Sequence, residues 1–198
     1  MRKFHVTINR QFGSLGRPIA QRMAEQLNVE FYDRDIIEIA ASQTGLPLKR
    51  ASDIEESASK NQFLQMCFPL GIGSGNERDT LFQAQRQILL NLADARSCIL
   101  VGRCSDYILR HAEHLVRIFI YAPYEKRLKN CTELLHMDGA EADRMIKEVD
   151  AARDEYQLQY AHYKQGDFRH TDILIDSSML GVEETAKFLS NMIIAKFG

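Results

Sequence analysis

Residues 4–27 read FHVTINRQFGSLGRPIAQRMAEQL, and this stretch decides the fold. Phe4, Val6 and Ile8 alternate at the period of a strand. Ile19, Met23 and Leu27, with Ala20 and Ala24 beside them, recur at the three- and four-residue spacing of a helix. Pro18 falls in the first turn of that helix, where its missing N–H is not needed. Between strand and helix lie Gly13, Ser14, Leu15 and Gly16, bracketed by Arg10 and Arg17. A strand feeding such a turn at a helix N-terminus aims several backbone N–H groups one way, beside the positive end of the helix dipole. That is an anion site, and phosphate is its usual occupant.

The turn departs from the phosphate-loop pattern G-x-x-x-x-G-K-[ST], whose lysine reaches the terminal phosphates and whose hydroxyl holds magnesium. Here Arg10 or Gln11 replaces the first glycine, Gly16 stands at the lysine position and Pro18 at the hydroxyl position. The backbone cradle survives while both side-chain functions are gone. Arg17 or Arg10 is left to supply the cation, because a guanidinium takes phosphate oxygens through paired N–H groups. An ordinary strand-to-helix turn of glycine and serine is the plainer alternative.

The chain has 198 residues, the size of one domain with a small subdomain at most. Its 45% hydrophobic and 26% charged residues are those of an ordinary globular chain, and a net charge of −2 argues against a general nucleic-acid binder. Arginine outnumbers lysine by 16 to 9, which leans toward ligands with paired oxygens. Cys67, Cys98, Cys104 and Cys131 have no metal-ligand spacing, and His111 and His114 have no partner that completes a zinc set. Cys98 reads as a small core residue. With no 18-residue apolar run and no signal-peptide core, the sequence predicts a soluble cytoplasmic protein without membrane or nucleic-acid partners; an oligomer stays open.

Beyond the first helix, residues 29–32 predict a second strand ending at Asp33, Arg34 and Asp35, and residues 36–40 begin a helix stopped by Gly45 and Pro47. Charged residues at a strand's carboxyl end face the ligand crevice of a parallel sheet, so Asp33 and Arg34 are candidates for substrate contact. A helix cap at Asp33 is the equal alternative. Asp53 and Glu56 are spaced as a capping box. Residues 68–78, FPLGIGSGNER, predict a surface loop; their glycines follow no strand and make no dinucleotide fingerprint. A helix follows over 79–95, with Leu81, Ala84, Ile88 and Leu92 as its stripe and Gln83, Gln85 and Arg86 on or beside its polar face.

Residues 98–101 predict a buried strand, ending in Gly102, Arg103, Cys104, Ser105 and Asp106 before a short helix. Residues 116–121 form the next strand, 123–135 a helix, 172–176 a last strand and 182–197 a closing helix. Between them runs a long polar helix from Asp138 and Gly139. Arg144, Lys147, Asp150 and Arg153 step along it by threes and are expected near one face, either as a solvated ion-pair face or as cations lowered onto a polyphosphate. Five strands alternating with helices predict a three-layer α/β fold around a parallel sheet, with Gly13, Asp33 and Arg103 on a common edge.

These segments together resemble the cytidylate-kinase-like branch of the nucleoside monophosphate kinases. VTINRQFGSLGRPIA, CILVGRCSDYIL, RMIKEVDAARDEYQ and DILIDSSMLGVEETAKFL carry the resemblance, which covers nearly the whole length. It implies a P-loop kinase fold with a five-stranded parallel sheet of order 2-3-1-4-5, an acceptor-binding subdomain near residues 35–80 and a lid near 136–168. It also implies transfer of the γ-phosphoryl group of ATP, with magnesium (Mg2+), to CMP or a similar monophosphate. Gly13, Ser14, Leu15, Gly16 and Arg17 would then hold the donor's phosphates. Asp33, Arg34, Gln85 and Arg103 would serve the acceptor, and Arg17, Arg127, Lys147, Asp150 and Arg153 the transfer itself. Where cytidylate kinases carry Gly-Arg-Asp, this chain carries Gly102-Arg103-Cys104. A nucleotide-binding protein with a degenerate loop and no transferase chemistry is the rival reading. A nicotinamide-dependent oxidoreductase lacks its G-x-G-x-x-G signature.

Overall fold

A strand in the middle of a parallel sheet has helices over both faces, so even its polar residues lose contact with water. β1 (His5–Arg10) shows this: Val6 and Ile8 are buried toward one layer, His5, Thr7 and Asn9 toward the other. The structure is a computed structural model that describes residues 2–33 and 75–198, without the side chains of residues 75–77 and 81. The elements after β1 are α1 (Gly16–Leu27), β2 (Glu30–Tyr32), α2 (Gly75–Ala95), β3 (Cys98–Val101), α3 (Ser105–Ile108), β4 (Leu115–Tyr121), α4 (Tyr124–Glu133), α5 (Gly139–Ala161), β5 (Ile173–Asp176) and α6 (Gly181–Phe197). The five strands are all parallel, in the order 2-3-1-4-5. The expected three-layer α/β fold and strand order are those of the structure.

Two cores lie on the two faces of the sheet. On one, Val6, Ile8, Ile118 and Ile120 pack against Ile19 and Met23 of α1 and Leu189 and Ile193 of α6, with Phe4 stacked on Phe197 at 5.7 Å. On the other, Cys98 and Leu100 pack against Phe82 and Leu89 of α2, Ile108 of α3 and Tyr156 of α5. A third cluster seats Phe12, a residue of the opening turn, among Cys131 of α4 and Ala142, Met145, Ile146 and Val149 of α5. Among the described residues, no helix is long and apolar enough to cross a membrane.

Three expectations need correction. α2 starts at Gly75, so residues 75–78 of the expected loop are helical; once the apolar stripe beyond Asp79 is docked, extending a helix backward is inexpensive until a glycine is reached. The buried stripe of α2 keeps the expected Ile88, with Ala84 and Leu92 partly buried, but widens to Phe82, Gln85 and Leu89, and Gln85 is fully buried. Its amide is tolerated there because it donates to the Arg103 carbonyl at 3.1 Å.

The third concerns α5. Steps of three residues fall short of a turn by about 60° each, so over three steps the drift reaches about half a turn. Arg144 and Lys147 accordingly lie on the exposed side, paired with Glu148 at 3.0 Å and Asp143 at 2.8 Å, while Arg153 is buried and Asp150 half-buried on the opposite side. The expected helix at 36–40, the Asp53–Glu56 box, Arg34 and the acceptor subdomain up to residue 74 lie outside the described residues.

Candidate functional site

The carboxyl ends of β1 and β3 open toward the N-terminus of α1, and the turn between β1 and α1 is held from outside by its carbonyl groups. Asn130 donates to the Gly13 carbonyl at 2.8 Å, Ser177 to the Ser14 carbonyl at 2.6 Å, and Arg153 to the Arg10 carbonyl at 2.9 Å. The Ser14 hydroxyl is itself buried, facing the Gln11 carbonyl at 2.9 Å and the Ile120 carbonyl at 3.1 Å. With carbonyls anchored behind, the amides are left on the open side. The N–H groups of Gly13 and Leu15 have no backbone acceptor among the described residues, and those of the first turn of α1 have none within the helix. Leu15 takes a left-handed conformation, φ 60°, to make this bend.

Arginines gather around that opening. Asp33, at the end of β2, is almost fully buried and sits 2.9 Å from Arg17 Nε and 3.6 Å from Arg10 Nη2. Within the described residues it is the counter-ion of two guanidiniums; the helix it was expected to cap lies outside them. Asp150 of α5 accepts the Phe12 N–H at 2.7 Å and the Arg127 guanidinium at 2.5 Å, with Arg153 3.8 Å away. Arg103 stands in the electrostatic reach of Arg10 and Asp33. Five guanidinium groups thus face two carboxylates among the described residues.

The excess of positive charge is held at a cost in solvation. Burial lowers the proton affinity of Arg10 and Arg103, only partly offset by Asp33. It brings Arg153 down to about 9, with Arg10 as the second cause. Burial also pushes Asp150 up, against the opposing pull of the Phe12 N–H and its two arginines. A bound anion favours the charged form of all three arginines, while as a like charge it pushes Asp150 further up.

β3 ends in three successive left-handed residues: Gly102 at φ 72°, Arg103 at 59° and Cys104 at 52°. For Arg and Cys this backbone costs about 1–2 kcal/mol each, and such strain collects where a side chain has to be aimed. The turn lifts Arg103 toward Asp33 and Arg10, and the buried Gln85 amide ties down its carbonyl. The buried Arg103 Nε has no protein partner among the described residues, and neither has Arg127 Nε.

The structure therefore brings together Gly13, Leu15, Gly16, Arg17, Asp33, Arg103, Arg127, Asp150 and Arg153. Lys147 points to solvent, and Gln85 serves the Arg103 turn. Sequence reading missed the Asp150–Phe12 contact and a buried network beside Arg103, in which Asp106 accepts from Gln157 at 3.1 and 2.9 Å and from Tyr163 at 2.9 Å. The available signal was the true helical spacing of Asp150, Arg153 and Gln157, three and then four residues apart.

ATP's phosphates fit this arrangement through the free amides and the guanidiniums. Magnesium held by protein does not: neither Arg17 nor Pro18 after Gly16 offers a ligand, Asp33 is taken by two arginines, and no group of three His, Cys, Asp or Glu among the described residues is placed for a metal.

Comparison with curated proteins finds no match. Among solved structures, an uncharacterized protein from Eubacterium ventriosum has a TM-score of 0.73 at 23% identity, over 96% of this chain and 98% of that one. Shikimate kinase from Bacteroides thetaiotaomicron has 0.55 at 10% identity, over 96% and 98%. Shikimate kinase from Acinetobacter baumannii, in complex with shikimate, has 0.51 at 13% identity, over 98% and 95%. At these identities the likeness is one of fold. The model of the cytidylate kinase-like family matches residues 5–179, nearly the whole chain. The protein belongs to the cytidylate kinase-like family.

Proposed function

We propose that this protein is an ATP-dependent kinase that transfers the γ-phosphoryl group to a nucleoside monophosphate, with CMP the favoured acceptor. The observation that carries the reading is the convergence of Arg10, Arg17, Arg103, Arg127 and Arg153 on one opening with only Asp33 and Asp150 to balance them. A nucleoside triphosphate and a monophosphate, bound together, supply the missing negative charge. Membership of the family and the P-loop kinase fold support phosphoryl transfer; the monophosphate acceptor is inferred from the family.

In this reading the amides around Gly13 to Arg17 hold the donor's phosphates, and Arg127 and Arg153 neutralise charge on the oxygens of the group in flight. Arg103, aimed by its strained turn, takes the acceptor's phosphate. A phosphate oxygen of the acceptor bonds to the γ-phosphorus as the bridging oxygen departs with ADP. Such a transfer asks for position and charge neutralisation rather than covalent help, which an arginine cluster supplies. The described residues offer magnesium no ligand set, so any magnesium would have to be held by the donor's own phosphates, whose charge it would help to neutralise.

ADP release, followed in a coupled assay across the four common ribonucleoside monophosphates, tests the reading. CMP should give the fastest turnover, and Arg17→Ala, Arg103→Ala and Arg153→Ala should each remove most of it while leaving the circular dichroism spectrum unchanged. No release above the buffer rate with any acceptor overturns it. A second reading, nucleotide binding without transfer, is favoured by the absent loop lysine and hydroxyl. It expects ATP affinity that hardly changes when magnesium is removed, and calorimetry with and without magnesium decides.

A further inference from the structure

Gly16 occupies the position that a nucleotide-kinase loop gives to lysine, and the structure explains why it is bare. A Cβ built on Gly16 would lie 2.7 Å from Arg10 Cβ and 3.0 Å from Arg10 Cγ. A Cβ built on Gly102, at the end of the neighbouring strand, would lie 2.5 Å from Arg10 Nη1. The 2.7 and 2.5 Å contacts are closer than a real Cβ makes, so a side chain at either position would displace Arg10. The Arg10 side chain therefore runs from the end of β1 across Gly16, where its stem fills the space a Cβ would take, to Gly102, where its guanidinium ends. Its guanidinium ends beside Asp33, with 15% of the side chain left open to solvent.

We infer that Arg10 is the phosphate-binding cation of this loop, an inference that rests on the phosphate-binding reading given above. The charge that other loops bring from the helix side on a lysine arrives here from the strand side. Two features of the sequence become one: the arginine where the pattern has its first glycine, and the glycine where the pattern has its lysine, are a single exchange. The ligand class is the β- and γ-phosphates of a nucleoside triphosphate, or pyrophosphate in their place. Asp33 holds the guanidinium when no anion is present, sharing it with Arg17.

The exchange can be reversed. Pyrophosphate and ATP binding should be measured by calorimetry on the wild type, Arg10→Gly, Arg10→Gln, Arg10→Lys and the double variant Arg10→Gly/Gly16→Lys, each with its thermal transition recorded. Arg10→Gln keeps most of the packing and removes the charge, and should weaken both ligands by about 10- to 100-fold, the worth of a charge-assisted hydrogen bond. Arg10→Lys should retain more affinity than Arg10→Gln. The double variant, which restores the ordinary placement, should bind at least ten times more tightly than Arg10→Gly. Arg10→Gln that unfolds cooperatively and binds pyrophosphate as tightly as wild type overturns the inference, leaving Arg10 a structural partner of Asp33. A wild type that binds neither ligand overturns the phosphate-loop reading itself, so the two failures are told apart. Where Arg10→Gly or the double variant does not fold, the glutamine and lysine variants still decide.

Discussion

The Asp150 carboxylate accepts the backbone N–H of Phe12 at 2.7 Å, so a residue of the long helix α5 fixes the opening turn from 138 positions away. The same carboxylate balances Arg127. Removing it in Asp150→Ala leaves an amide and a buried guanidinium unmatched. The expected loss is about 2–3 kcal/mol, the range for hydrogen bonds to charged groups, with Asp150→Asn losing about half as much. Urea unfolding midpoints measure both. A loss under about 0.5 kcal/mol for the alanine variant would mean that solvent replaces the carboxylate.

Anion binding should carry a proton. Burial, and Arg10 after it, bring Arg153 down to about 9, and a bound phosphate would raise it. The sign follows: near pH 9 part of the Arg153 population is neutral and takes up a proton on binding, while near neutral pH it is already charged. Calorimetry in buffers of different ionisation heat should show proton uptake near pH 9 that vanishes toward neutrality. Arg153→Ala should abolish it, and uptake that is unchanged in that variant assigns the proton elsewhere.

The charge on Asp106 should hold back ionisation of Tyr163. Burial first, and the adjacent Asp106 carboxylate second, hold the Tyr163 hydroxyl in its protonated form well above the usual phenol range. In Asp106→Asn the negative neighbour is gone, and ultraviolet titration of tyrosinate should show one more residue ionising before the alkaline unfolding step. Asp106→Ala should also cost about 2–3 kcal/mol, because it strips the buried Gln157 amide and the Tyr163 hydroxyl of their acceptor.

The described cysteines should be inert in the folded protein. Cys98, Cys104 and Cys131 are buried, and burial pushes Cys98 up to about 12 and Cys131 up to about 11. Thiolate is the reactive form, so a disulfide reagent near neutral pH finds almost none of it. In a Cys67→Ser background, Ellman's reagent should titrate essentially no thiol in the native state and three after denaturation. Rapid native reaction of one thiol would place a local opening at that residue.

Much of the architecture was readable because strand and helix periods differ and the chain alternates between them cleanly. The residues that line the phosphate turn were readable too, since glycine, serine and an early proline have few other reasons to stand in that order. What failed was angular. Arg144 and Lys147 were grouped with Arg153 by even steps of three, but the helix needs steps of three and four, and the drift carried them to solvent. Gln85 reads as lying on or beside the polar face because amides usually do; its partner is the carbonyl of the strained turn at Arg103, and no local sequence signal announces that. The Arg10 packing was legible only in part: sequence offered Arg10 and Arg17 as equal sources of charge, and the choice between them depends on two glycines that lie far apart in the chain.

The benzyl ring of Phe12, wedged between α4 and α5, also sets limits on motion. Swinging α5 away from the turn means extracting that ring into water, at about 3 kcal/mol, which leaves roughly one molecule in 150 so displaced at any moment. Turn and helix consequently travel as one rigid body. Arg127 of α4 and Arg153 of α5, proposed for the transfer, are held to the turn by the same weld, and any motion that admits the proposed nucleotide would pivot beyond it.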